Sequence, residues 1–126
     1  MTRSEFVRLL VLNSICDDFE NVDQIILPDV ARTGARCGLT IERSEVVGAL
    51  ASLIADGLAK AYILPGPERS PFSGELPGMP PMNEVEEYFK TYFFITQKGM
   101  DLHLSDREWF PLDDEGELRK DWQFGS

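Results

Sequence analysis

An α+β fold follows from three observations on this sequence. Residues 40–64, T-I-E-R-S-E-V-V-G-A-L-A-S-L-I-A-D-G-L-A-K-A-Y-I-L, read as a capped helix, a glycine stop and a strand with no slack between them. A second strand pattern, T-Y-F-F-I-T at 91–96, is β-branched and aromatic and is placed to pair antiparallel with 59–64. Helical periodicity dominates the first third of the chain, and Thr96 opens a further apolar helix, T-Q-K-G-M-D-L-H-L.

The first helix is expected over residues 4–19. Thr2 and Glu5 have capping-box spacing, so each can satisfy an exposed N–H of the other. Phe6, Leu9, Leu10, Val11, Ile15, Cys16 and Phe19 are too many for one narrow stripe, which implies cover on more than one side. Residues 20–27 connect, and 24–27 could add a short strand at a sheet edge. Pro28 suits the first turn of a second helix over 28–37, with Val30, Ala31, Ala35 and Cys37 facing inward. Gly38 is a natural stop after it.

Thr40 is the expected N-cap of the third helix, over 41–56. Val46, Val47, Leu50, Leu53 and Ile54 make its apolar stripe. Gly57 should take a left-handed conformation, with Leu58 folding back on the helix. Residues 65–81 hold six of the eight prolines and three of the ten glycines, so helix and central strand are both excluded there. The segment reads as an extended, mobile excursion at a hairpin tip. Residues 83–90 are a short helical turn or an approach to the strand at 91–96. The tail, 105–126, carries Trp109, Phe110, Trp122 and Phe124 around D-D-E-G-E, and should pack back on the domain or on a second subunit.

Two helices joined by a glycine turn, the helix–glycine–strand run at 40–64 and the strand-to-helix step at Thr96–Gly99 together resemble winged helix-turn-helix proteins. The resemblance covers about residues 4–104. It implies a three-helix core, a two- or three-stranded wing sheet and a C-terminal helix. The domain would be 1–104, with 65–81 as a long wing loop and 105–126 as a tail.

Functionally, the resemblance implies a DNA-binding transcriptional regulator with the third helix in the major groove of double-stranded DNA. Arg43 would then read a base, and Ser44 and Ser52 would touch phosphates. Arg32 and Arg36 would grip the backbone, and Arg69 and Lys60 would add flanking contacts. Such regulators usually dimerise, so a homodimer through the first helix and the segment after Gly99 is expected.

The charge pattern opens a competing reading. The third helix offers Arg43 against Glu42, Glu45 and Asp56, and its outward side is Ser44, Gly48, Ala51, Ser52 and Ala55. That smooth face suits close approach by another helix, and so a protein-interaction module without DNA binding. The net charge of −10 and the isoelectric point of about 4.4 disfavour unspecific contact with phosphate or anionic lipid.

Other classes are poorly supplied. One histidine, His103, and no close cysteine pair argue against a metal site, and no cofactor motif or nucleophile elbow is present. No enzymatic activity is expected. Cys16 and Cys37 read as small buried hydrophobes. Asp113, Asp114 and Glu115 read as a solvated acidic turn. Tyr92, Phe93, Phe94, Phe89, Trp109 and Phe110 could line a ligand pocket, although aromatics so spaced are more often core. No run approaches the ~20 apolar residues of a membrane helix. The apolar run at 9–12 is too short for a signal peptide, so a cytoplasmic protein is expected.

Overall fold

Thr2 and Glu5 form the capping box that their spacing predicts. The Thr2 hydroxyl accepts from the Glu5 amide at 3.1 Å, and the Glu5 carboxylate accepts from the Thr2 amide at 3.4 Å. The helix they open, α1, spans Arg3–Ser14 in a computed structural model that describes residues 1–82, 90–105 and 109–122. It stops well before residue 19. Asp17 and Asp18 would add negative charge at the helix C-terminus, where the dipole is already negative. Instead the Asp18 carboxylate accepts from the Phe19 amide at 2.7 Å and turns the chain. Phe6, Val7, Leu10, Val11, Leu12 and Ile15 are buried in the core.

No strand forms over 24–27. The edge contact is made by Glu20, which exchanges backbone hydrogen bonds of 3.0 and 2.9 Å with Phe93. Asn21 caps the turn after it, its Oδ1 accepting from the amides of Asp23 and Gln24 at 2.9 and 3.2 Å. That π-helical turn, Val22–Ile26, runs directly into α2, Leu27–Arg36. Pro28 sits in its first turn as expected. Val30 and Gly34 face inward, Ala31 and Cys37 are half-buried, and Ala35 is exposed, contrary to expectation. Ile26, Val30 and Gly34 follow the i, i+4 line, and Ala35 lies off it. A Cβ on Gly34 would come within 2.6 Å of Ile41, so glycine lets the next segment approach.

Gly38, at φ +78°, ends α2: its amide donates to Ala35 at 3.1 Å and that of Leu39 to Gly34 at 2.9 Å. The next helix, α3, spans Arg43–Ala55, and its N-cap is Glu42, not Thr40. The chain stays extended so that Ile41 can bury itself against Gly34. The Glu42 amide donates to the Glu45 carboxylate at 2.9 Å, and the Thr40 carbonyl accepts from Arg3 at 2.6 Å. Val46, Leu50 and Leu53 are fully buried, with Val47 and Ile54 packed beside them.

Gly57, at φ +75°, closes α3 as expected, and Leu58 folds back to donate to Leu53 at 2.8 Å. β1, Ala59–Ile63, pairs antiparallel with β2, Thr91–Ile95, with Ala61 opposite Phe93 and Tyr62 opposite Tyr92. Ala59, Ala61, Phe93 and Ile95 face the helices and are buried. The chain is thus α+β, with four α-helices and a two-stranded antiparallel sheet among the described residues.

Residues 65–81 do not extend away. They fold back through a 3-10 turn, Pro71–Gly74, and Glu75 bridges Tyr62 while the Leu76 amide donates to Ala61 at 2.8 Å. Gly74 permits this, since a Cβ there would strike the Ile63 carbonyl. Glu20 therefore covers the free edge of β2 and Glu75 that of β1, which leaves little open strand. Residues 83–89 of the expected helical turn lie outside the described residues.

After β2, α4 spans Gln97–His103 with Thr96 as its N-cap. The tail packs on the domain itself. The Trp122 ring stands 5.2 Å from that of Phe6, and its Nε1–H donates to the Trp109 carbonyl at 2.7 Å. Between them Leu112 bridges Leu118 around Gly116 at φ +78°. The apolar excess of α1 thus faces the core on one side and Trp122 on another. Phe124 lies outside the described residues.

Candidate interaction surfaces

Arg43 is the first residue of α3, and its guanidinium is engaged inside the molecule. Nε and Nη2 reach the two carboxylate oxygens of Asp23 at 2.8 and 3.1 Å, and Nη1 donates to the Met82 carbonyl at 2.5 Å. The Asp23 side chain is only 9% exposed and that of Arg43 23%. This fork ties the start of α3 to the turn before α2 and to the end of the long loop.

The other expected contacts are scattered. Arg36 donates to the Gly116 carbonyl, so it holds the tail turn. Arg32 is 68% exposed on its side chain and stands 4.0 Å from Asp29. Ser44 is exposed on α3. Arg69 is exposed in the long loop, at φ +58°. Lys60 pairs with Glu75 at 2.5 Å, which raises the lysine pKa through the hydrogen bond to that carboxylate.

The smooth side of α3 faces a groove against α1. It encloses about 470 Å³ between Arg3, Ser4, Val7, Arg8, Glu45, Gly48, Ala49 and Ser52. An ion pair closes each end. Arg3 meets Glu45 at 2.7 and 3.1 Å, and Arg8 meets Asp56 at 2.5 Å and the Ser52 hydroxyl at 2.8 Å. The Arg3 hydrogen bond holds the Glu45 carboxyl below its usual range, and the guanidinium is raised in turn. Between these pairs the floor is Val7, Gly48 and Ala49, and nothing lies within 4 Å of a Cβ built on Gly48.

A second surface lies on the outer face of the hairpin. By register Lys60 and Tyr62 of β1 share that face with Phe94 and Tyr92 of β2. Phe19 and Phe72 stand over it: Phe19 is 4.5 Å from Phe94, 5.0 Å from Tyr62 and 5.3 Å from Phe72, all edge-to-face. Phe72 is nonetheless 62% exposed. Beside it an open basin of about 540 Å³ is lined by Asp18, Phe19, Leu64, Pro65, Arg69, Pro71 and Tyr92.

Of the aromatics that could line a pocket, Tyr92 lines this basin and Phe110 lines a recess of the tail with Leu112, Asp113, Asp114 and Arg119, whereas Phe93 is core, Phe94 packs against Phe19 and Trp109 packs against Phe110. Phe89 lies outside the described residues. Sequence reasoning missed Phe72 and placed Phe19 on a helix. The signals were an aromatic inside a proline-rich loop and an aromatic directly after two aspartates.

Among the described residues no group of three or more His, Cys, Asp or Glu side chains is placed to hold a metal ion. Cys16 and Cys37 are half-buried and form no disulfide among the described residues, and burial pushes the Cys37 thiol up, away from the reactive thiolate. His103 is buried. No helix among the described residues is long and apolar enough to cross a membrane. Compared with known proteins, the chain matches no family model, no curated protein and no solved structure.

Proposed function

We propose that this chain is a winged helix-turn-helix domain that works as a protein-interaction module, with no catalytic role. The element order and the glycine turn between α2 and α3 support the winged-helix assignment. The β1–β2 hairpin and the Thr96 step into α4 add to it.

The observation that carries the function is the Arg43 fork. A groove-reading helix presents its N-terminal side chains to base edges. Here the cationic side chain at that end is bound bidentate to Asp23. Arg3, Arg8, Arg36 and Lys60 likewise have partners within the chain. A net charge of −10 then repels phosphate more than it attracts it. The groove at Gly48 is left as a surface where a partner helix can approach α3 closely.

A sequence-specific DNA-binding regulator is the competing proposal, with Arg32, Arg69 and Ser44 as its solvent-facing contacts. Genomic fragments in a mobility-shift assay at about 50 mM salt, where phosphate contacts are strong, separate the two. The module reading expects no shift and expects a photo-crosslinker at position 48 to capture a protein partner. A shift that weakens steeply with added salt would return the function to DNA.

A homodimer belongs to the same proposal. Leu9 and Leu102 lie together on the α1–α4 side, and Leu102 and Leu104 are 39% and 66% exposed. A dimer there should bury at least about 1,000 Å², and sedimentation of the 14.2 kDa chain at micromolar concentration checks it. With Cys16 and Cys37 in no disulfide among the described residues, a cytoplasmic setting fits this reading.

A further inference from the structure

We propose that a second copy of this chain seats its α3 in the groove between α1 and α3, the two α3 helices running antiparallel about a two-fold axis near Gly48. This rests on the protein-interaction reading and names the partner.

The groove has room for a helix. Its floor is Val7, Gly48 and Ala49, and a Cβ built on Gly48 meets nothing within 4 Å. Packed helices come to about 8 Å, the near end of their usual spacing, where the side chains at the crossing are small. Ser44, Gly48 and Ser52 follow one another at that spacing of four along the outer side of α3.

Charge identifies the occupant. At the first end of the groove Arg3 meets Glu45, and the Glu42 amide donates to the same Glu45 carboxylate. At the second end Arg8 meets Asp56, and Lys98 Nζ donates to the Asp56 carbonyl at 2.8 Å. Glu5 lines the adjoining recess beside Arg8 and accepts from the Thr2 amide. Each end thus carries both signs. A partner helix of a single sign would meet like charge at both ends, which selects against it.

An antiparallel second copy meets the opposite sign instead. Its Arg8–Asp56 end lies on the Arg3–Glu45 end of the first chain, and the symmetry repeats this at the other end. Arg8 of each copy then faces Glu45 of the other, and Arg3 faces Asp56. The side chains of Arg3 and Asp56 are 42% and 53% exposed, so both can serve a second partner while keeping the first. The positive N-terminus of each α3 also lies by the negative C-terminus of the other.

The surface is continuous with the exposed leucines. The recess next to the groove shares Ser4, Arg8 and Ser52 with it and leads on to Leu9 and Leu102. A copy centred on Gly48 covers Leu102 as well, which extends the buried area toward the roughly 1,000 Å² of a stable interface.

The test is a charge exchange in the full chain, read by sedimentation equilibrium at micromolar concentration. Wild type should sediment as twice the 14.2 kDa chain. Arg8→Glu alone sets carboxylate against Glu45 at both ends, and Glu45→Arg alone sets guanidinium against Arg8. Each should raise the dimer dissociation constant about tenfold or more. In a one-to-one mixture the two changes face each other at one end and the native pair remains at the other, so the dimer should return. Gly48→Trp, which fills open space in the single chain, should also separate the copies. Thermal melts confirm that all three variants fold.

A wild-type chain that stays at 14.2 kDa would overturn the proposal. So would a mixture that dimerises no better than either variant by itself. A dimer indifferent to Gly48→Trp but lost in Leu102→Asp would belong to the α1–α4 side and would overturn the groove as its seat. If the chain is monomeric and a crosslinker at position 48 captures a different protein, the module reading stands and the second copy falls. A monomer that gives a salt-sensitive shift of genomic DNA removes both.

Discussion

The hydroxyl of Thr96 donates to the carbonyl of Gly57 at 2.7 Å and accepts from the Gly99 amide at 3.1 Å. One side chain thus caps α4 and satisfies a carbonyl left over where α3 ends. Lys98 Nζ does the same for the Asp56 carbonyl at 2.8 Å. The end of α3 and the start of α4 are one unit. Thr96→Val should cost about 1–2 kcal/mol in denaturant unfolding, since cap and carbonyl partner are lost together, while Thr96→Ser should lose much less.

Two glycines should respond to alanine with opposite signs. A Cβ on Gly99 would strike the Leu58 carbonyl, and backbone cannot yield as a flexible side chain can. Gly99→Ala should destabilise by about 2–3 kcal/mol. Gly48 is exposed in mid-helix with open space around it, so Gly48→Ala should stabilise by roughly 0.5–1 kcal/mol. Chemical denaturation of the two variants against wild type checks both. Two destabilised variants would mean that the groove at Gly48 is not open.

Arg43 divides the two functional readings by stability alone. Arg43→Ala strips Asp23 of its bidentate partner at a site only 9% exposed, and should cost about 3 kcal/mol. Arg32→Ala removes an exposed side chain and should stay within about 0.5 kcal/mol of wild type. An Arg43→Ala protein as stable as wild type would show that the fork contributes nothing and would free Arg43 for a ligand.

The tail should matter to the single chain. Trp122→Ala uncovers Phe6 and leaves the Trp109 carbonyl without its donor, which should cost about 2 kcal/mol. Sedimentation alongside the thermal melt tells tail packing from assembly. A loss of stability with no change in mass assigns the tail to the monomer fold.

Glu20 should make stability depend on pH. Its folded pKa is raised by burial and then by Asp18, so protonation favours the folded state. Its contribution is full below the ordinary carboxyl range and is lost as pH rises through the raised value. Glu20→Gln should therefore melt higher than wild type at pH 7, and the gain should vanish below about pH 4. An equal gain at both pH values would point to packing instead.

Local chemistry determined much of the fold from the sequence alone. Thr2 with Glu5, Gly38, Gly57 and Thr96 are capping and turn residues, whose preferences act over a few neighbours and leave a readable spacing. The stripe at Val46, Leu50 and Leu53 and the pairing of β1 with β2 follow from periodicity in the same way. Tertiary structure decided what depends on distant partners. Ile41 stays extended because Gly34 leaves room for it, so Glu42 and not Thr40 caps α3. Residues 65–81 fold back because Phe72 finds Phe19 and Tyr62, and because Gly74 admits the Ile63 carbonyl. The arginines were visible as charges, but whether each faced solvent or a carboxylate depended on residues up to 80 positions away. A side chain's availability to a ligand is settled by the competing partners that folding brings to it, and local spacing carries no record of those.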